Sequence, residues 1–252
     1  MSNPIVAVVN HSTVVSDTEV AVTVDALQQQ VTNHFEPRWN MGASLIVVDS
    51  TAAGHAMRLR ASEVVQQVPE GAWLLAILDD SDQATALGYH ELDPKDIPIG
   101  KVFARSDQAA GLSWTVTASH ELLEMLGDPY VNLTVQIRDD GTAVAYETAD
   151  AVEDDRFGYR IAGVLVSDFV YPSWFIAASS GPWDYGEHCT GPLQLLQGGY
   201  SGVWTPGKGW SQATADGVPR HTNGPRFAMR AKGRGLPRPT EVPAWAGSTL
   251  RA

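Results

Sequence analysis

The chemistry that this sequence can perform is concentrated in one stretch, residues 114–129, whose sequence is WTVTASHELLEMLGDP. Inside it, His120 and Glu124 are four residues apart, so they lie on the same face of an α-helix. Glu121 follows the histidine directly, and the leucines and methionine around these residues predict that the helix packs into a core. An imidazole and carboxylates at this spacing are donors that divalent metal ions bind. The stretch therefore predicts a metal-binding helix.

The H-E-x-x-E pattern at 120–124 resembles the H-E-x-x-H helix of zinc peptidases, in which two histidines bind zinc and the intervening glutamate is the general base. Here Glu124 stands in place of the second histidine. A carboxylate is an accepted zinc ligand, and three protein ligands with a water make a catalytic site. We predict His120 and Glu124 as metal ligands and Glu121 as the catalytic base. The pattern leaves one alternative open, an amphipathic helix with a solvated polar face.

A further ligand is predicted from the acidic segment 147–155, whose sequence is ETADAVEDD. Glu147 follows a predicted hairpin that can return to the helix, and Asp150 comes three residues later. Either carboxylate can complete the site, and Asp150 can instead orient the helix histidine through its other ring nitrogen. Asp128, just past the helix end, and Asp154 are further candidates for a ligand or for a residue that supports one.

The donor set predicts Zn²⁺ as the cofactor. One imidazole among carboxylates favours zinc or manganese over calcium. Mn²⁺ and Ca²⁺ are the alternatives, since calcium prefers six to eight oxygen ligands and residues 147–155 are rich in carboxylates. The same segment is also compatible with a solvated acidic loop that holds no ion.

A metal ion at this position would support hydrolysis. It lowers the pKa of a bound water and polarises a carbonyl, while Glu121 accepts the water proton and passes it to the leaving amine. The candidate for the oxyanion donor is Tyr171, alongside Tyr159 and Tyr185, and the sequence does not rank the three. Because Glu124 replaces a neutral histidine, the metal centre is less positive, which weakens its effect on the bound water.

The other histidines are predicted to be structural. His90 precedes a glutamate, as His120 does, but in the strand-to-loop sequence GYHELDP. His11 and His34 have no neighbouring motif, and His188 adjoins the lone cysteine without a second pair to complete a zinc site. The sequence contains no glycine pattern of the Walker or Rossmann type and no nucleophile elbow.

The elements that must position the site helix follow the order β, α, β, β, β, β, α. Apolar runs predict strands at 5–9, 44–48, 73–78, 84–92 and 99–104. Apolar residues at three- and four-residue steps predict a helix from 16 or 17 to 35, which Pro37 ends. Residues 52–65 are less regular and are predicted to form a partly helical connection. This order of elements is found in the N-terminal half of many zinc peptidases.

Beyond the site helix, which Gly127 and Pro129 should end near Leu126, the sequence predicts hairpins and loops. Asp-Asp-Gly at 139–141 predicts a hairpin between strands at 131–135 and 142–146, and another hairpin is predicted at 158–166. Residues 180–212 are rich in Gly, Pro, Trp and Tyr and are predicted to form ordered, irregular loops packed by aromatic rings.

Charge divides the chain into two parts. The 252 residues carry a net charge of −12, but residues 216–252 hold seven Lys or Arg against two acidic residues. We therefore predict one domain over 1–215 and a flexible basic tail rich in Gly, Pro and Arg over 216–252. The strongly acidic main domain argues against a nucleic-acid partner. The tail is basic and the main domain is acidic, so the two carry opposite charges. We predict that the protein can associate with itself through the tail.

Composition limits the setting. A hydrophobic fraction of 44% is enough for a sizeable core, and there is no apolar run of the length that spans a membrane. The first residues do not have the basic segment followed by an apolar segment that is typical of a secretory signal. A lone Cys189 excludes an internal disulfide framework. We predict a cytoplasmic or virion-associated protein with no membrane partner.

Three segments together carry a wider resemblance: TASHELLEMLGDP, YETADAVED and VSDFVYPSWF. They resemble a group of bacterial and phage-associated zincin-like proteins with an S-H-E-x-x-E-x-x-x-D-P motif and a downstream E-x-x-D. More distantly, they are similar to secreted peptidase-like and exordium-like proteins. The resemblance covers residues 70–212. It implies a zincin-like fold and metal binding at His120, Glu124 and the segment 147–150, and it implies no particular substrate.

The sequence thus predicts an α+β, zincin-like domain in which a mixed, twisted sheet supports an active-site helix and the C-terminal part is rich in loops. The leading hypothesis is a metal-dependent hydrolase, most simply a zinc peptidase acting on a peptide or protein. The alternative is a non-catalytic, metal-stabilised structural or interaction protein, such as a virion or assembly component on a degenerate peptidase scaffold.

Overall fold

The computed structural model describes residues 3–48, 69–82, 86–216 and 237–240. Over these ranges the chain forms two five-stranded sheets, a separate two-stranded hairpin and a few helices, which confirms the α+β class. None of the helices in the described ranges is long and apolar enough to cross a membrane. The predicted connection at 52–65 lies outside the described residues, as does most of the predicted tail.

The helices are α1 (Asp17–Gln30), α2 (Glu36–Trp39), α3 (Ala104–Ala109) and α4 (Trp114–Gly127). The strands of the first sheet are β1 (Ile5–Asn10), β2 (Ser44–Val48), β3 (Trp73–Leu78), β4 (Gly88–Leu92) and β5 (Pro98–Phe103). The remaining strands are β6 (Leu133–Gln136), β7 (Ala143–Ala145), β8 (Tyr159–Ile161), β9 (Val164–Val166), β10 (Tyr200–Thr205), β11 (Gly209–Thr214) and β12 (Arg238–Pro239).

The first sheet supports the site helix. Its strand order is β2-β1-β3-β5-β4, with β4 antiparallel to β5 and the other pairs parallel. Helix α4 packs against β4 and β5, and its apolar side chains, including Leu122 and Leu123, are fully buried. The close approach requires small residues: a Cβ on Gly88 would lie 2.6 Å from Cγ2 of Thr117, and one on Gly100 would lie 3.2 Å from Sδ of Met125.

The first helix begins as the sequence predicts but ends later. Ser16 caps α1 in a reciprocal capping box with Glu19, which fixes the start at Asp17. Pro37, however, does not end the helical segment, which continues through a π-helical turn (Val31–Phe35) into α2. That prediction was wrong because the π turn shifts the hydrogen-bond pattern, so that proline, in the first turn of α2, need not donate an N–H. The left-handed residue Asn40 then ends α2.

The second sheet corrects the prediction of loops over 180–212 only at the end of that range, since residues 180–199 form loops and turns as predicted. Its order is β11-β10-β7-β6-β12, and β10 and β11 form a regular antiparallel hairpin where loops were predicted over the end of 180–212. The hairpins β6–β7 and β8–β9 confirm the two that the sequence predicts. Part of the predicted tail also belongs to this sheet, because Arg238 and Thr240 donate backbone hydrogen bonds to Asn132 and Thr134.

Candidate metal centre

Helix α4 and the segment after β7 bring three of the predicted ligands together. Nε2 of His120 lies 3.1 Å from Oε1 of Glu124, one helical turn further on, and 3.3 Å from Oδ1 of Asp150. All three side chains are buried. Ligand atoms about 2.0 Å from a zinc ion at tetrahedral angles are about 3.3 Å apart, so these spacings match the edges of a zinc coordination sphere.

The position of Asp150 is set by backbone contacts on both sides of it. A single 3-10 turn (Asp150–Val152) begins at this residue. The carbonyl of Thr148 accepts a hydrogen bond from the N–H of Val170 at 2.7 Å, and the carbonyl of Ala151 accepts one from Leu196 at 2.9 Å. Asp150 faces the same ring nitrogen of His120 as Glu124 does, Nε2, and not the nitrogen on the other side of the ring.

The electrostatics of His120 favour a cation beside it. Burial by itself would lower the pKa of this imidazole, but the neighbouring carboxylates of Glu124 and Asp150 outweigh burial and raise its pKa to about 10. Its Nδ1 has no hydrogen-bond partner among the described residues. Without an ion, the ring therefore holds a proton at neutral pH, at the point where a metal would take its place.

His90, which the sequence analysis placed among the structural histidines, lies on the other side of Glu124. Its Nδ1 is 3.4 Å from Oε2 of Glu121 and 3.7 Å from Oε2 of Glu124, and its Nε2 is 4.0 Å from Oε2 of Glu147. The strand-to-loop context of His90 did not indicate this position, because the pairing of β4 with β5 is what places β4 against α4. The repeated His-Glu dipeptide was the one signal in the sequence.

These side chains form what we call the buried acidic cluster, which consists of His90, His120, Glu121, Glu124, Glu147 and Asp150. It holds four carboxylates and two imidazoles, each at most 4% exposed. Even with both rings protonated, four ionised carboxylates would leave two negative charges in the interior. Uncompensated buried charge is strongly unfavourable, so the composition of the cluster calls for additional positive charge or protons.

Two further candidate ligands have other roles. Both oxygens of Asp128 accept backbone hydrogen bonds, from Asn132 at 3.1 Å and from Leu133 at 3.0 Å, and so fix the turn after α4. Asp154 caps a 3-10 turn and forms an ion pair with Arg156 at 2.8 Å. These contacts give both aspartates a part in fixing the turns around them.

The predicted oxyanion donor lies in an aromatic cluster. Tyr171 packs edge-on against Phe169, and the guanidinium of Arg38 lies 4.9 Å from the centre of its ring. Burial raises its pKa. The other two candidates stack on each other, with 4.5 Å between the ring centres of Tyr159 and Tyr185. These contacts account for the three tyrosines as packing residues.

The packing between the end of α4 and the segment before Asp150 is tight. A Cβ on Gly127 would overlap the Cγ2 methyl of Thr148, which is itself fully buried. We expect Gly127→Ala to displace the segment that carries Asp150 and to weaken zinc binding about 10-fold. Competition with a chromophoric chelator measures the zinc affinity. Helix propensity alone would favour the alanine variant, because alanine stabilises a helix more than glycine does.

The matched rescue is Thr148→Ser, which removes only the overlapping methyl. The double variant Gly127→Ala/Thr148→Ser should recover the zinc affinity of the original protein. Unchanged affinity in the Gly127→Ala protein would show that this contact does not position Asp150.

A second pair of buried carboxylates lies outside the cluster. Burial and the adjacent Asp184 carboxylate raise the pKa of Asp168 well above its ordinary value, so the pair retains a proton between them. Oδ1 of Asp168 accepts backbone hydrogen bonds from Phe169 and Gly186. Asp184 uses both oxygens, accepting from the N–H groups of His188 and Cys189. The pair therefore ties the 184–189 loop to the chain before Phe169.

We expect Asp168→Asn to make the protein more stable than the original at alkaline pH. In the unfolded chain Asp168 loses its proton near its ordinary pKa, whereas the folded protein retains the proton to higher pH. The stability that this group contributes is therefore complete at acid pH and falls as pH rises towards the folded pKa. Asparagine does not titrate, so the stability of this variant relative to the original protein should increase steadily from pH 4 to pH 8 in urea denaturation.

Asp184→Asn is the matched control. Its amide would face one of the two backbone N–H groups that the carboxylate now accepts from, so this variant should be destabilised at every pH. A difference between Asp168→Asn and the original protein that does not vary with pH would contradict the shared proton.

Comparison of the chain with protein families, with curated proteins and with solved structures finds no match. The zincin-like resemblance therefore remains a prediction from the sequence. The geometry and the charge of the buried acidic cluster are the features of the molecule that point to a function.

Proposed function

We propose that this protein is a metal-dependent hydrolase, most simply a zinc peptidase on a zincin-like fold, with the ion held by His120, Glu124 and Asp150. The observation that carries the proposal is the buried group of one imidazole and two carboxylates, in which Nε2 of His120 lies 3.1 and 3.3 Å from the carboxylate oxygens and all three ligand atoms lie within 4.8 Å of one another. One nitrogen and two oxygen donors suit zinc, with manganese as the second choice.

Glu121 is the residue that would move the proton. It follows the histidine ligand in α4, and its charge contributes to the raised pKa of His120, so it lies within electrostatic range of the site. A zinc ion there would lower the pKa of a bound water and polarise the substrate carbonyl. Glu121 would accept the proton of that water and donate it to the leaving amine.

The edge of the first sheet favours a peptide as the substrate of the proposed hydrolase. Among the described strands, β4 lies at the edge of the sheet, pairs on one side with β5 and carries His90 into the buried acidic cluster. An unpaired sheet edge is a surface on which an extended peptide can add a strand. A peptide on this edge would run beside the proposed catalytic residues.

The burial of the site favours a second candidate, a metal-stabilised scaffold without catalysis. His120, Glu121 and Glu124 are each 0% exposed, and an ion enclosed among them would have no direct contact with solvent or substrate. A hydrolase would have to open this part of the molecule for its substrate, whereas a scaffold would keep the ion enclosed.

Glu121→Gln separates the two functions. In a hydrolase this change should lower turnover of a peptide library about 100- to 10,000-fold while the ion at His120 is retained. The matched control is Glu70→Gln, an exposed residue that should leave both turnover and metal content unchanged. Metal-loaded original protein without turnover on any peptide would reject the hydrolase and leave the scaffold.

A further inference from the structure

The two oxygens of Glu124 face two different imidazoles. Oε1 is 3.1 Å from Nε2 of His120, and Oε2 is 3.7 Å from Nδ1 of His90. A carboxylate that offers a separate oxygen to each of two donor groups has the geometry of a bridging ligand. In two-metal sites such ligands join ions about 3.5–4 Å apart.

The donors on the His90 side form a complete group of their own. Nδ1 of His90 is 3.4 Å from Oε2 of Glu121, and the ligand atoms of His90, Glu121 and Glu124 all lie within 4.8 Å of one another. His90 is buried, and its Nε2 has no hydrogen-bond partner among the described residues. A buried ring nitrogen without a hydrogen-bond partner costs free energy, so the presence of this imidazole in the interior calls for a functional explanation.

The local structure brings this histidine to the helix. Gly88 and His90 are two residues apart and so lie on the same face of β4. The register pairs His90 with Gly100 of β5. Both glycines allow close contact with α4, since a Cβ at Gly88 would lie 2.9 Å from Oε1 of Glu121. The edge strand is therefore shaped to place an imidazole against the carboxylates of the helix.

We propose a second divalent-ion position held by His90, Glu121 and Glu124, with Glu124 bridging to the ion at His120 and Asp150. The charges support two ions. Four carboxylates and two neutral imidazoles carry a charge of −4, which one divalent ion halves and two divalent ions neutralise. Glu147, 4.0 Å from Nε2 of His90, adds to the negative charge on this side.

Occupation of this position would regulate the proposed hydrolase, a consequence that rests on the proposed function. The second ion would bind Oε2 of Glu121, the residue that must accept a proton during hydrolysis. With one ion bound, Glu121 acts as the base, and with two it is a ligand. Excess metal should therefore inhibit turnover.

Metal stoichiometry tests the second position without any assay of activity. The purified protein, stripped with a chelator, is titrated with Zn²⁺ and its bound metal is counted by plasma mass spectrometry. We expect two ions per chain in the original protein, one in His90→Ala, and two in the control His11→Ala, whose histidine lies outside the cluster. One ion at saturation in the original protein, or two in the His90→Ala protein, would overturn the proposal.

Electron paramagnetic resonance of the Mn²⁺-loaded original protein provides a test that needs no variant to fold. Two Mn²⁺ ions joined by Glu124 should give an exchange-coupled spectrum, and isolated ions would contradict the bridge. Inhibition by excess zinc is measured separately. Absence of turnover at every metal occupancy, in a protein that binds two ions at saturation, would reject the hydrolase and keep the second position. Turnover in a protein that binds only one ion at saturation would keep the hydrolase and reject the second position.

Discussion

Replacing Glu124 by glutamine is expected to lower the affinity of the protein for zinc by at least about 100-fold. Glutamine has the same shape, so the change tests the ligand atoms and not the packing of a fully buried position. It removes the charge that faces both His120 and His90, at 3.1 and 3.7 Å. A neutral amide is a poor ligand for zinc, and both proposed ion positions would lose a donor at once.

The measurement is zinc content after dialysis against a weak chelator, with Asp154→Asn as the matched control. Asp154 is an acidic residue of the same segment as Asp150, but it pairs with Arg156 at 2.8 Å and should bind no ion. Zinc retained at the original level in the Glu124→Gln protein would place the ion elsewhere. Loss of zinc in the Asp154→Asn protein would indicate that Asp154 is itself a ligand.

Trp39→Ala is expected to destabilise the protein by about 3–5 kcal/mol. Trp39 is only 3% exposed, and its ring centre lies 5.4 Å from that of Phe35 and 5.1 Å from that of Tyr146. Its Nε1 donates a hydrogen bond of 3.0 Å to the carbonyl of Val170. Removal of the ring leaves a large cavity between α2 and the segments that follow α4, and it leaves a buried carbonyl without its donor.

Urea denaturation measures this loss, and Val22→Ala is the control. Val22 is 49% exposed on α1, so its truncation should change the free energy of unfolding by less than about 0.5 kcal/mol. A loss of about 1 kcal/mol or less in the Trp39→Ala protein would show that the aromatic contacts around this residue contribute little to stability.

The sequence alone was sufficient for the parts of the molecule that depend on neighbouring residues. The spacing of His120 and Glu124 placed them on one face of α4, since helical geometry repeats every three to four residues. The end of α4, one residue beyond the predicted Leu126, followed from Pro129, although Gly127 is the last helical residue and Asp128 the C-cap. The turn of the β6–β7 hairpin followed from the Asp-Asp-Gly at 139–141. Strands β1 and β3 were evident because they are buried runs of apolar residues.

Only the tertiary structure decided which distant groups meet. Nothing local distinguishes Asp150, which lies 3.3 Å from His120, from Glu147, which lies near His90, because the path of the chain after β7 decides it. Strand pairing likewise decides the place of His90: β4 reaches α4 only as the antiparallel edge of a sheet whose other strands lie far apart in the sequence. Contacts of this kind depend on the packing of whole elements, which the residues beside His90 do not encode.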